Sequence, residues 1–147
     1  MVYEFLNKKD FKSRDVLYLS GGIVWAIASM MHPQQINDNF VEITQKDISA
    51  FRELVYNNYN GLTKPDLSKS MKADDANAAI KNINRVVKTY DQKALLAGAI
   101  WLDELIGQVN TINPSKKLIF PRFAYVGWIS GYIMDRINKQ YTGLAKN

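Results

Sequence analysis

Three stretches of this sequence, 16–31, 92–109 and 121–141, are apolar around most of a helical turn, and each holds one of the three tryptophans, Trp25, Trp101 and Trp128. Each also carries small residues four apart: Gly22 with Ala26, Ala94 with Gly98, and Gly127 with Gly131. A helix that is apolar nearly all round is buried, and small residues at this spacing let two backbones approach closely. The expectation is that the three segments bury one another, with glycine and alanine at the crossings and tryptophan filling the space beside them.

Membranes also use such spacing, but the segment 16–31 is shorter than the roughly 20 residues a spanning helix needs. Lys8, Lys9, Lys12 and Arg14 precede it and imitate a secretory leader. Glu4, Asp10 and Asp15 interrupt that basic region, and it is too long for a signal. The chain therefore reads as cytoplasmic, with no membrane partner. At 147 residues, 47% hydrophobic and 22% charged, it suits one globular domain over 1–147, with short flexible ends at 1–12 and 142–147. Lys, Asn, Ile and Tyr are abundant together, as in the AT-rich genes of phages and other mobile elements.

Helix punctuation is frequent along the chain. Ser13 is placed to cap a helix running to His32-Pro33, where the residue before proline leaves helical angles. Gly21-Gly22 marks a kink or a break within it, so 16–31 reads as one helix or two. Thr44 with Asp47 forms a capping-box pattern ahead of Ile48, Phe51, Leu54 and Val55. Asn57 to Gly61 would close that helix through a left-handed residue. Thr63 would cap a short helix containing Pro65.

Asp74-Asp75 opens a longer helix with Ala76, Ala79, Ile80, Ile83, Val87 and Tyr90 on one side. Asp91 caps the tryptophan segment 92–109, and Pro121 starts the last helix. Only 116–120 and 40–44 pass as strands, both short and without a hairpin signal. The predicted fold is all-α, a compact bundle of five to six helices.

Few residues here can carry chemistry. There is no cysteine, and His32 is the only histidine, which excludes disulfides, thiolate zinc sites and His-His metal motifs. No glycine-rich phosphate loop and no nucleophile elbow occur. Asp103-Glu104, set in apolar surroundings, is the one acid pair that a general acid could use. Asp74-Asp75 suits a helix start better than a metal. No catalytic residue, metal or cofactor is assigned, and no small-molecule substrate is identified.

The predicted function is therefore non-enzymatic. The chain reads as a protein–protein interaction factor, accessory, structural or inhibitory, that also binds itself as a homodimer or higher oligomer. Its interface candidates are the aromatics Tyr125, Trp128, Tyr132 and Tyr141. The alternative is DNA binding by a helix-turn-helix-like unit within 44–89. Asn77, Lys81, Asn84, Arg85 and Lys88 would form its nucleic-acid face, consistent with a net charge of +5.

Overall fold

The computed structural model describes residues 9–124, together with Leu6 and Arg136. In chain order the elements are α1 (Lys9–Lys12), β1 (Val16–Tyr18), α2 (Gly22–Met31), a 3-10 turn (Pro33–Gln35), β2 (Phe40–Glu42), α3 (Gln45–Asn57), α4 (Tyr59–Thr63), α5 (Ala73–Thr89), α6 (Gln92–Ile112) and β3 (Lys117–Pro121). The protein is mostly helical and forms one unit, but it also contains a three-stranded sheet in the order β1-β3-β2. The all-α expectation is corrected accordingly.

The sheet is built from the segments whose local signals were weakest. β3 runs parallel to β1, with Leu17 opposite Leu118, and antiparallel to β2, with Val41 opposite Phe120. Ser13 does not cap a long helix. Residues 16–19 alternate instead, with Leu17 and Leu19 turned inward and Val16 and Tyr18 outward. Gly21, at φ 125, ends the extended segment and admits α2; an L side chain rarely adopts that angle. Pro121 likewise does not start a helix. It is the last residue of β3, and the ladder passes over it to the Arg122 amide, which donates to the Asn39 carbonyl at 2.9 Å.

The helix starts that were read from local pairs are in place. Thr44 and Asp47 make both capping-box bonds: the Asp47 amide donates to Thr44 Oγ1 at 3.2 Å, and the Thr44 amide donates to Asp47 Oδ2 at 2.8 Å. The Ala94 amide donates to Asp91 Oδ1 at 2.7 Å. The helix ends differ. Asn58 closes α3 at φ −145, and its side chain accepts from the Gly61 amide to cap α4. Thr63 ends α4 rather than capping a helix, and its hydroxyl donates to the Tyr59 carbonyl at 3.0 Å. Residues 64–72 form no helix, because Asp66 accepts from the Ser68 amide and hydroxyl and holds a turn there.

Burial lifts the Asp47 carboxyl pKa, but the hydrogen bonds from the Thr44 hydroxyl and amide, with the nearby His32, outweigh it and hold the pKa below its ordinary 3.8. A depressed carboxyl pKa stabilises the fold above the unfolded value, and that contribution is lost as pH falls through the folded one. Asp47→Asn is therefore expected to cost about 1 kcal/mol at neutral pH. In urea titrations the gap to wild type should close below pH 3.8. A gap that stays constant down to pH 2 would contradict this account.

The core lies where α3 runs along α6, with α2 packed across both. Ile48, Phe51 and Val55 of α3 and Leu95, Ala99, Leu102 and Ile106 of α6 are buried. Close approach between two of the three segments is found at Gly98, whereas Gly22 meets Tyr90, which belongs to none of them. A Cβ on Gly98 would stand 3.1 Å from the Ile23 side chain, and one on Gly22 would overlap the Tyr90 hydroxyl. The tryptophan part does not hold throughout. Trp25 is partly buried, but Trp101 is 62% exposed, because the buried stripe of α6 passes through Leu102 and a neighbouring position turns about 100° away. Trp128, Gly127 and Gly131 lie outside the described residues.

Candidate functional site

Asp103, the candidate acid, is bound to its neighbours. Arg52 Nη1 donates to its Oδ2 at 2.7 Å, and Ser49 Oγ and Gln45 Nε2 donate to Oδ1 at 3.0 and 3.2 Å. Three donors from α3 therefore tie this α6 carboxylate to α3, and the group serves packing. Glu104 faces outward and accepts from Gln108 one turn along the same helix. Asp75 accepts from Asn37 Nδ2 at 2.8 Å. His32 Nε2 is buried without a hydrogen-bond partner, 3.6 Å from Asp47 Oδ2. Among the described residues no three His, Cys, Asp or Glu side chains gather as a metal site would require, and no helix is long and apolar enough to cross a membrane.

The structure brings Asn77, Lys81, Asn84, Arg85 and Lys88 together. All five are exposed on the outer side of α5, where with Ile80 they line a shallow groove of about 420 Å³. Their shared face follows from helical spacing alone. The proposed frame around them is different, since residues 64–72 supply no second helix for a helix-turn-helix. The other apolar stripe of α5 is also shifted: Ala76, Ala79, Ile83 and Val86 are buried, whereas Ile80 and Val87 are exposed.

Tyr125, Trp128, Tyr132 and Tyr141, the expected interface, lie outside the described residues. A different apolar surface is present. The inner face of the sheet sends Leu17, Val41, Leu118 and Phe120 towards the core. Its outer face carries Val16, Tyr18, Phe40, Ile119 and Pro121, with Phe123 just beyond β3. Tyr18, Phe40 and Phe123 are 63%, 51% and 46% exposed. Their rings stack in sequence, Phe40 lying 6.4 Å from Tyr18 and 5.3 Å, edge-on, from Phe123.

No family model, curated protein or solved structure matches this chain. The case for any site therefore rests on geometry. A sheet packed on one face ordinarily presents polar residues to water on the other, and on the outer face of this mixed sheet only Glu42 and Lys117 do so. Sequence reasoning missed this surface because the residues come from three separate segments and meet only when the strands pair. A helix over 16–31 would turn Tyr18 about 200° from Val16, so helical spacing does not place the two on one face.

Proposed function

We propose that the protein is a non-enzymatic interaction protein, acting as an accessory, structural or inhibitory factor, and that it docks a second copy of itself on the outer face of its sheet. The observation that carries this is the exposed aromatic row Tyr18, Phe40 and Phe123 on a sheet face whose charged side chains are Glu42 and Lys117 alone. Contiguous exposed apolar surface of this kind marks contact sites, and aromatic side chains contribute most to such contacts. A second copy suits it because the face carries one acid and one base, Glu42 on β2 and Lys117 at the start of β3. Across a two-fold axis each of these meets its opposite, as a self-complementary interface requires.

Light scattering on the eluting protein tests this. Wild type is expected to run as a dimer, and Phe40→Asp as a folded monomer with an unchanged circular-dichroism spectrum, since Phe40 is half exposed within one copy. Trp101→Asp, at an even more exposed apolar position on α6, should leave the dimer intact. A wild-type monomer at high concentration, or a Phe40→Asp dimer, would overturn the proposal.

The DNA-binding alternative retains one supporting feature, the groove that unites its five residues. Charge and amides on a helix face then carry it alone. The acids Asp74 and Asp75 stand at the N-terminal end of the same helix, where a recognition helix would approach phosphate.

A further inference from the structure

A second, deeper cavity of about 780 Å³ opens between the start of α2, the middle of α5 and the end of β3. Its size lies within the range of small-molecule sites. Two arginines line it from different elements, Arg85 on α5 and Arg122 just after β3. The Arg85 guanidinium lies over the Trp25 ring at 5.7 Å, and among the described residues it pairs with no acid. Arg122 Nη2 donates to the Gln35 carbonyl at 3.0 Å, while its Nε is buried with no hydrogen-bond partner. Burial lowers the Arg122 pKa, and the charge of Asp38 opposes that shift.

Two like charges on one concave surface repel, and a buried guanidinium N–H left without an acceptor costs free energy. An anion in the cavity answers the first. Asn82, less than a turn before Arg85, adds an amide, and Ser20 a hydroxyl. Gly21, the N-cap of α2, offers no side chain to that helix end, so its first amides are not capped from within. Trp25, Phe120 and Ala124 supply apolar wall.

We propose that this cavity binds a small phosphate-bearing molecule with a ring or apolar body, its phosphate held by Arg85, Arg122 and Asn82 and its body laid against Trp25 and Phe120. Guanidinium forks match phosphate oxygens, and a phosphate monoester's charge of about −1.5 to −2 balances two arginines where a carboxylate balances one. This inference is independent of the sheet-face dimer.

Calorimetric titration with phenyl phosphate, inorganic phosphate and benzoate tests it, with Trp25 emission followed in parallel. Phenyl phosphate should bind at least about tenfold tighter than either of the others. Arg122→Met should weaken it by a similar factor, and Arg122→Lys by less. Lys81→Met, on the same helix as Arg85 but outside the cavity, should change nothing. If Arg122→Met fails to fold, Arg85→Lys and the wild-type titrations still decide. The assignment is overturned if phenyl phosphate gives neither heat nor an emission change at millimolar concentration. It is also overturned if benzoate binds equally well, or if Lys81→Met weakens binding as much as the arginine variants do.

Discussion

Phe51→Ala is expected to lower the free energy of unfolding by about 4 kcal/mol, the largest loss of any single truncation considered. Phe51 is fully buried at the centre of α3 and is the largest of the fully buried side chains. Its ring fills the layer between α3 and α6, alongside Ile48 and Val55. Removing it deletes the transfer energy of the ring and leaves a cavity that two long helices, anchored by the Arg52–Asp103 ion pair at 2.7 Å, cannot easily close. For a chain of this size that corresponds to a drop in melting temperature of roughly 8–16 °C. Urea unfolding with an unchanged slope would measure it. Tyr56→Ala, on the same helix but 71% exposed, should cost less than about 0.5 kcal/mol. A Phe51→Ala loss as small as that would show that α3 and α6 do not share a close-packed core.

Lys116→Ala is the second large effect, at about 3 kcal/mol. A lysine is seldom fully buried without partners, yet Lys116 is 6% exposed and stands immediately before β3. Its ammonium donates to the Phe11 carbonyl at 2.9 Å and to the Arg14 carbonyl, and lies 4.8 Å from the centre of the Phe11 ring. The Phe11 carbonyl belongs to the last turn of α1, so the ammonium ties that helix end to the start of β3. Removing the ammonium would take a charged donor from both carbonyls, and leave a gap beside the buried Phe11. The loss should concentrate in residues 9–15, so hydrogen exchange should show these amides opening while α3 and α6 stay protected. Lys116→Met retains the apolar stem but not the donors, and should show most of the same loss. If Lys116→Met matches wild type, the lysine contributes only its stem.

The structure also explains which sequence readings succeeded. Thr44 with Asp47, and Asp91 with the amide of Ala94, were legible because donor and acceptor lie three residues apart. The shared face of Asn77, Lys81, Asn84, Arg85 and Lys88 was legible for the same reason, since helical period places it without help from the rest of the chain. The strand at Val16–Tyr18 was not. Four residues of V-L-Y-L fit a helix start or a half-buried strand equally well, and β3, which decides between them, lies about 100 residues later. Trp101 shows the complementary failure. Its helix was correctly placed, but α6 rotates so that Leu95, Ala99, Leu102, Ile106 and Val109 face inward, and an apolar run with several usable faces does not say which one wins.

Taken alone, the amino-acid order determined where α3, α5 and α6 begin, which side of α5 is basic, and that thiol and histidine-rich chemistry are absent. Tertiary structure decided the sheet, its largely apolar outer face, and the cavity that Arg85 and Arg122 both line. The division has a physical cause. Caps and helix faces depend on bonds closed within about four residues, whereas strand partners and cavity walls are joined only after long loops close, at an entropic cost that the assembled core offsets.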